Sequence, residues 1–234
     1  AIFFMDITVI IFPGTNRETD MEDALESVCG SPVRRVWHKN TDLGTPDLIV
    51  LPGGFSHGDY LRCGAMAAHS PIMKAVVEQA GKGTPVLGVC NGFQMLVETR
   101  LLPGALLRNQ SLKFICKPVC LKTTSTDNLF TAKMPEHDVI KVPVAHGEGN
   151  YHATQDQIRE MEEHDQIAFK YCNDNGDITP DANPNGSIEN IAGITNRRKT
   201  ILGMMPHPEN AVLPHQNLAD GKAFFKSIIE TLGS

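Results

Sequence analysis

Residues 84–100 constrain the fold more than any other stretch, because they join a short strand to a helix through a turn with no spare residues. An apolar run over residues 86–89 ends at Cys90, and a helix-forming segment begins at once. The turn itself, residues 88–92, has the sequence GVCNG, and G-x-C-x-G is the thiol counterpart of the hydrolase nucleophile elbow. Small residues on both sides let the strand and the helix approach closely, and the residue at the apex is held in a strained conformation.

This position favours a reactive thiolate at Cys90. Unpaired N–H groups and the positive end of the helix dipole stabilise an anion at a helix N-terminus, which lowers the pKa of a thiol there. The alternative is a buried cysteine that happens to end a strand, which is the usual fate of a free cysteine. The motif alone therefore predicts a candidate nucleophile but no substrate.

Apolar runs that alternate with helical patterns predict the fold class, which is α/β. Buried strands separated by helices imply parallel βαβ crossovers, and hence a flavodoxin-like, doubly wound, mostly parallel sheet with helices on both faces. Functional groups then belong at the carboxyl ends of the strands, and two of those ends are the PGGF sequence at 52–55 and the elbow. We expect strands at 7–12, 33–38, 48–51 and 86–89, a turn with a helix N-cap at 13–16, and helices at 18–28 and about 60–80.

The half of the chain after residue 107 is richer in strand signals and predicts an antiparallel β extension of the sheet. The segment 173–186 is dense in Asn, Asp, Gly and Pro and is expected to form a surface loop. A chain of 234 residues with 41% apolar residues can bury a sizeable core, so we expect a single domain over residues 2–232. The other strands expected here are 112–121, 139–144, 167–171 and a pair at 188–196 and 200–205. Helices are expected at 155–164 and 218–232, a helical turn or loop at 127–133, and a loop at 144–151.

Composition excludes several classes of partner. The net charge of −6 and the lack of a basic run argue against a nucleic-acid surface. The six cysteines show no CxxC pair and no zinc-type spacing, so we expect reduced thiols, no metal and a cytoplasmic location. The apolar start lacks the features of a signal peptide and reads as a first strand, and no segment reaches transmembrane length, so no membrane partner is expected.

A thiolate needs a basic partner, and His207 has the most informative setting of the nine histidines. It follows an apolar strand, prolines flank it, and Glu209 lies two residues further on. In an extended segment residues i and i+2 point the same way, so Glu209 can orient the imidazole by a hydrogen bond. The spacing predicts a triad of Cys90, His207 and Glu209. The alternative is a loop histidine and a helix-first-turn acid without roles.

A predicted oxyanion hole completes this chemistry. Gly53 and Gly54 follow a neighbouring strand and can turn backbone N–H groups toward the thiolate, and the N–H of Asn91 at the helix start is the natural second donor. The alternative for the glycine pair is an ordinary turn from strand to loop.

Several longer stretches resemble one family, the glutaminase subunits of phosphoribosylformylglycinamidine synthase, which are class I (triad-type) glutamine amidotransferases of purine biosynthesis. The similarity runs from FPGTN at 12–16 to the C-terminal helix. The triad pattern marks only the amidotransferase class, whereas CNGFQ, GDYLRCGA and ALLRNQSLKF point to this subunit. The stretches are PVLGVCNGFQML, LPGGFSHGDYLRCGA, LLPGALLRNQSLKF, VAHGEGNY and ILGMMPHPE.

The resemblance implies a reaction. The family's nucleophile, histidine and acid fall on Cys90, His207 and Glu209. Cys90 then attacks the side-chain carboxamide of L-glutamine, ammonia leaves with a proton from His207, and water hydrolyses the γ-glutamyl thioester to give glutamate. Gln94, one helical turn after Cys90, is implied to help bind the glutamine, although it could instead be a solvated helix residue. A loop that lines the same pocket falls on His146, Gly147 and Glu148.

The resemblance also implies partners, because free ammonia is useful only to a docked enzyme that consumes it. These are a large ATP-dependent synthetase subunit, which holds ATP, Mg²⁺ and formylglycinamide ribonucleotide, and a small bridging subunit. This chain has no phosphate-binding glycine loop, so no cofactor is expected on it and ATP is assigned to the partner. We expect the isolated chain to be poorly active, because the peptide planes of the PGGF turn can flip and docking can complete the oxyanion hole.

The sequence departs from the family pattern in three places, and two alternatives stay open. Asn210 stands where arginine is expected, His57 where tyrosine is common, and the loop at 173–186 is longer than required. A glutaminase of guanylate or anthranilate synthesis is disfavoured by the CNGFQ and GDYLRCGA stretches. A redox-sensing, non-catalytic protein of the same architecture predicts no adduct with glutamine analogues, and the presence of both His207 and Glu209 disfavours it.

Overall fold

The computed structural model describes residues 5–59 and 62–234, and their strands form one nine-stranded sheet and one two-stranded sheet. The helices are α1 (Glu18–Cys29), α2 (Ala65–Ala68), α3 (Pro71–Lys82), α4 (Asn91–Glu98), α5 (Gln155–Glu163) and α6 (Gly221–Leu232). The strands are β1 (Ile7–Ile11), β2 (Arg34–Trp37), β3 (Leu48–Leu51), β4 (Val86–Val89), β5 (Ala105–Leu107), β6 (Ile115–Thr123), β7 (Val139–His146), β8 (Asn150–His152), β9 (Ile167–Cys172), β10 (Ile191–Thr195) and β11 (Ile201–Met204).

The first half of the large sheet is parallel and confirms the predicted α/β class. Its order, β2-β1-β3-β4-β11, is that of a flavodoxin-like fold. Every residue of β3, β4 and β11 is buried, as expected for strands that are covered on both faces. Helix α4 contacts β3, β4 and β11, so the helix that follows the elbow lies on the centre of the sheet.

The antiparallel extension is confirmed, and it continues the same sheet in the order β11-β10-β9-β6-β7. Strand β11 is the point where the two halves meet, because it pairs parallel with β4 and antiparallel with β10. Its register places Met204 opposite Val89. The residues that follow β11 therefore emerge beside the elbow.

Several predicted boundaries are wrong for backbone reasons. The helix expected over about 60–80 is broken, because Ser70 is extended before Pro71 and proline disfavours the helical conformation in the residue before it. Residues 60–61 of that prediction, and residues 1–4 of the predicted first strand, lie outside the described residues. Leu112 and Asn190 have positive φ angles of 56°, so β6 and β10 begin later than expected.

Two other local predictions are wrong. The loop expected at 144–151 is partly strand, since β7 runs through His146 and β8 begins at Asn150. The helix N-cap expected at 13–16 is Arg17, and it makes no side-chain capping bond. The Thr15 hydroxyl instead accepts a hydrogen bond from the Phe12 N–H at 3.0 Å. Within the described residues, no helix combines the length and the apolar character that a membrane crossing requires.

Candidate active site

Cys90 occupies the predicted elbow between β4 and α4. Its backbone has φ 52° and ψ −105°, a conformation that an L-residue adopts only when the surroundings impose it. The surroundings here are tight, since a Cβ on Gly92 would overlap the Leu51 carbonyl oxygen and one on Gly88 would lie 2.7 Å from the Gly92 oxygen. The Cys90 N–H donates to the Met204 carbonyl at 2.8 Å, which ties the apex to β11.

His207 and Glu209 follow β11 and lie in contact. The imidazole Nδ1 is 2.6 Å from Glu209 Oε1, and both side chains are almost completely buried. The backbone is not extended as the sequence predicts, because a 3₁₀ turn, Pro208–Ala211, begins directly after His207. That tighter turn still brings the carboxylate to the ring. A further bond from the His207 N–H to the Pro143 carbonyl, 2.8 Å long, fixes the turn against β7.

The electrostatic setting of His207 favours an imidazolium. Burial lowers its pKa, but the Glu209 carboxylate and Cys90 raise it more, to about 10. With Nδ1 occupied by Glu209, the second ring nitrogen Nε2 is buried and has no hydrogen-bond partner among the described residues. The arrangement therefore suits an acid–base role for the imidazole beside Cys90, in which the imidazolium can give a proton to a leaving group.

The PGGF turn lies against both groups. A Cβ on Gly53 would be 2.8 Å from His207 Cε1 and 3.5 Å from Cys90 Cβ. The turn is held by residues 14–17, since the Gly53 carbonyl accepts from the Arg17 N–H at 3.3 Å and the Phe55 N–H donates to the Gly14 carbonyl at 2.9 Å.

Backbone N–H groups of the predicted oxyanion hole lie at this turn and at the elbow. Gly54, with φ 151°, forms an antiparallel bridge with Thr15. The Asn91 N–H precedes the first intrahelical bond of α4, from the Gln94 N–H to the Cys90 carbonyl at 3.1 Å. The oxyanion role of Gly53, Gly54 and Asn91 stays a prediction.

A cavity of about 340 Å³ opens at this edge of the sheet. Glu209, Gly53 and Asn91 lie behind its wall, where they support the residues that face it. The other predicted site residues all line it: Cys90, His207, Gly54, Gln94, His146, Gly147 and Glu148.

Gln94 and Asn91 are buried and belong to one chain of hydrogen bonds. The Ser56 N–H donates to Asn91 Oδ1 at 3.1 Å, and Asn91 Nδ2 donates to Gln94 Oε1 at 2.9 Å. Gln94 Nε2 then donates to the Glu148 carbonyl at 2.8 Å. Gln94 is therefore not a solvated helix residue, and its amide connects the elbow helix to the loop after β7.

His146 is held by two asparagines that the sequence analysis did not identify. Its Nδ1 lies 3.0 Å from Asn109 Oδ1 and its Nε2 lies 3.4 Å from Asn185 Nδ2. Burial and the neighbouring His207 lower the pKa of His146 to about 4, so the ring is neutral at physiological pH. The imidazole lines the cavity with both nitrogens already engaged.

The sequence reasoning also missed three titratable residues that line the cavity, Asp59, Cys63 and Arg108. Burial raises the pKa of Asp59. Burial, Asp59 and Glu148 together raise the pKa of the Cys63 thiol, which argues against a second reactive thiolate. Arg108 approaches Glu148 at 3.9 Å from an exposed position.

Two of the three sequence departures, Asn210 and His57, have local partners. Asn210, found where arginine was expected, donates from Nδ2 to Asp20 Oδ2 at 2.9 Å. The His57 ring packs edge-on against Phe12 and His38, with ring centroids 6.1 Å and 5.3 Å apart. Neither residue lines the cavity.

The fold and the elbow site agree with a comparison to protein families. The model of the CobB/CobQ-like glutamine amidotransferase domain matches residues 5–223. The chain is therefore an enzyme of the glutamine amidotransferase class.

Individual relatives narrow this class. Subunit PurQ of phosphoribosylformylglycinamidine synthase from Acaryochloris marina is 47% identical over 228 residues, covering 97% of each chain. The same subunit from Pelagibacter ubique is 49% identical over 228 residues, covering 97% of this chain and all of the relative. A solved structure of PurLQS from Thermotoga maritima matches with a TM-score of 0.83 and 38% identity over 97% of this chain and 98% of that one. The chain belongs to the PurQ family of phosphoribosylformylglycinamidine synthase subunits.

Proposed function

We propose that this chain hydrolyses glutamine through a γ-glutamyl thioester on Cys90 and passes the ammonia to a synthetase partner in purine biosynthesis. Family membership supports the glutaminase role. The observation that carries the mechanism is the meeting of Cys90 and His207 at the ends of adjacent parallel strands, with Glu209 bound to the imidazole at 2.6 Å.

The geometry supports the following sequence of steps. The Cys90 thiolate attacks the side-chain carbonyl carbon of glutamine, and the new oxyanion accepts hydrogen bonds from the N–H groups of Gly54 and Asn91, with Gly53 supporting the turn. The C–N bond then breaks, and the His207 imidazolium protonates the nitrogen as ammonia leaves. The neutral His207 next takes a proton from water, which attacks the thioester and releases glutamate with the thiol. Throughout, the Glu209 carboxylate fixes the orientation of the ring.

Gln94, Gly147 and Glu148 line the same cavity and are proposed to position the glutamine, with His146 beside them. The Gln94 amide binds both Asn91 and the Glu148 carbonyl. We therefore propose that Gln94 forms the part of the cavity wall that joins the elbow to the loop after β7.

The proposal includes partners, because ammonia must reach an acceptor before water protonates it. The related Thermotoga structure is of PurLQS, and partner subunits of the PurL and PurS types are expected here. ATP and Mg²⁺ are assigned to the synthetase and not to this chain. All six cysteines are free thiols, which supports a cytoplasmic location. The continuous sheet supports one domain over residues 2–232.

The test is Cys90→Ala in the assembled complex, with Cys116→Ala, an exposed cysteine outside the cavity, as the matched control. Cys90→Ala is expected to abolish glutamine-dependent synthesis and to leave synthesis from ammonium salts intact. Loss of both activities, or retention of glutamine-dependent synthesis, would refute the assignment. The same assay on the isolated chain tests whether docking activates it, and equal glutaminase rates with and without the partners would exclude such gating.

A further inference from the structure

We propose that Asn109 is a positioning residue of this site, which holds the segment 145–149 against Cys90 and Gln94 and keeps His146 as the neutral Nδ1–H tautomer. Its expected effect on the rate rests on the proposed glutaminase function. Its effect on His146 does not, because the tautomer can be measured without turnover.

The Asn109 side chain is completely buried and uses all of its hydrogen-bonding capacity. Nδ2 donates to the carbonyls of Lys113 and His146, both at 2.8 Å. Oδ1 accepts from the Gly149 N–H at 3.1 Å and faces His146 Nδ1 at 3.0 Å. Since the two carbonyls require the amide nitrogen on their side, the amide cannot be reversed. Its oxygen therefore faces the ring, and His146 Nδ1 must carry the proton.

The other ring nitrogen leads to the same conclusion. Asn185 Nδ2 donates to the Gly149 carbonyl at 2.8 Å, while its Oδ1 accepts from the Ser187 N–H at 3.1 Å, so its orientation is fixed too. The remaining Asn185 N–H lies between His146 Nε2, at 3.4 Å, and the Tyr171 hydroxyl oxygen, at 3.3 Å, so Nε2 can accept from it only when Nε2 carries no proton. A second proton on the ring would oppose that N–H group. The two asparagines together specify a neutral imidazole.

This matters for the site because the segment that Asn109 binds contacts both the candidate nucleophile Cys90 and the cavity residue Gln94. The Ala145 carbonyl lies 3.7 Å from Cys90 Sγ, and the Glu148 carbonyl accepts the Gln94 amide at 2.8 Å. The backbone of Asn109 adds a bond of 2.9 Å from its N–H to the Gly147 carbonyl. A displacement of the segment would move the wall beside the nucleophile and the wall beside Gln94 at the same time.

The charge state of His146 matters as well. Three titratable groups surround His146: His207, Tyr171 and Glu148. The charge of His207 already disfavours a second cation. The Tyr171 hydroxyl lies 3.3 Å from Asn185 Nδ2, and Glu148 follows His146 by two residues in the sequence. A positive charge on His146 would disfavour the His207 imidazolium that protonates the leaving nitrogen. Keeping His146 neutral therefore protects the protonation state of His207.

The experiment compares Asn109→Ser and Asn109→Asp with the same two substitutions at Asn128. Asn128 is a buried asparagine with as many side-chain bonds: Oδ1 accepts the N–H groups of Phe130 and Thr131 at 3.0 Å, and Nδ2 donates to Thr131 Oγ1 and the Ser125 carbonyl. Asn128 lies after β6 in the sequence, whereas Asn109 lies before that strand, and Asn128 does not line the cavity. The same substitution at either position is expected to lower the Tm of the protein by a similar amount.

The readouts are kcat and KM for glutamine in the complex with the synthetase partners, labelling of Cys90 by a diazo-ketone glutamine analogue, and ¹⁵N NMR of the imidazoles in the full chain. Asn109→Ser is expected to lower kcat/KM by about 100-fold, the effect of a misplacement of roughly 1 Å, and Asn128→Ser to leave it within about threefold. In Asn109→Asp the new carboxylate favours charged His146, so the acidic limb of the kcat/KM profile should move to higher pH. If Asn109→Asp does not fold, the kinetics of Asn109→Ser and the ¹⁵N NMR spectra of the unsubstituted chain still test whether Asn109 positions the segment and sets the His146 tautomer.

Two results would overturn the inference: equal kinetic effects of serine at positions 109 and 128, or a His146 that carries its proton on Nε2 or titrates near neutral pH. If the unsubstituted chain neither hydrolyses glutamine in the complex nor reacts with the analogue at Cys90, the proposed function fails instead. The ¹⁵N spectra would still report whether Asn109 sets the tautomer.

Discussion

Substitution of Gly53 by alanine tests the contact between the PGGF turn and the candidate triad. The added Cβ would lie 2.8 Å from His207 Cε1 and 3.5 Å from Cys90 Cβ. Carbon atoms pack at about 3.5–4.0 Å, so the imidazole must retreat by roughly 1 Å. The ring is buried and bound to Glu209 at 2.6 Å, so a retreat must disturb that contact.

The expected result is a large loss of activity with a moderate loss of stability. Overpacking of a buried site costs about 1–3 kcal/mol, and a catalytic group displaced by about 1 Å can lose about 100-fold in rate. Gly53→Ala in the assembled complex should therefore lower kcat for glutamine hydrolysis by about 100-fold and leave ammonium-dependent synthesis unchanged. Urea unfolding of the isolated chain measures the stability change.

Gly81→Ala is the matched control, because a Cβ there meets no atom of the described residues within 4 Å. Gly81 lies inside α3, where alanine should raise the free energy of unfolding by about 0.5–1 kcal/mol without affecting the rate. A Gly53→Ala rate within about threefold of that of the unsubstituted chain would show that the added Cβ does not displace the imidazole, and would refute the prediction. It is also refuted if ammonium-dependent synthesis falls in parallel, since the complex itself would then be damaged.

Two further predictions concern stability. The pKa of His207 is raised to about 10 in the folded chain, against about 6.5 in the unfolded chain. Between these two pH values only the folded chain keeps the imidazole protonated. The free energy of unfolding that this proton contributes is therefore lost as pH rises from about 6.5 to about 10. Urea unfolding between pH 7 and 10 should show a steeper loss of stability for the unsubstituted chain than for Glu209→Gln, and equal slopes would contradict this. Gly92→Ala, whose Cβ would overlap the Leu51 carbonyl, should lower the free energy of unfolding by about 3 kcal/mol. An unchanged denaturation midpoint would show that the elbow is less tight than the contact implies.

The candidate triad could be predicted from the sequence because each member lies in a local pattern with physical meaning. Glycines around Cys90 mark a tight turn, and the spacing of His207 and Glu209 brings an acid to an imidazole. The carboxyl ends of parallel strands meet at one edge of a sheet, which is enough to bring the two patterns together. The predicted extended backbone after His207 is wrong, since a 3₁₀ turn makes the contact between the imidazole and the carboxylate.

Asn109 and Asn185 could not be predicted, because asparagines in loops are typical turn formers and carry no periodic signal. Their role depends on three segments that are distant in the sequence and meet only in the fold. The late starts of β6 and β10 have a similar origin: Leu112 and Asn190 adopt positive φ angles that tertiary contacts impose and that residue type does not announce. The sequence predicted that β10 and β11 form a pair, but it contained no signal that β11 also pairs with β4.

The central place of β11 has a consequence for the order in which the enzyme is made. The strand and the histidine that follows it lie near the C-terminal end of the chain, whereas Cys90 leaves the ribosome much earlier. Until β11 pairs with β4, the elbow lacks both the Met204 carbonyl that anchors its apex and the imidazole that activates its thiol. A growing or truncated chain that lacks β11 is therefore expected to carry a cysteine without its basic partner. In the proposed mechanism, the nucleophile gains its reactivity in the same folding step that closes the sheet.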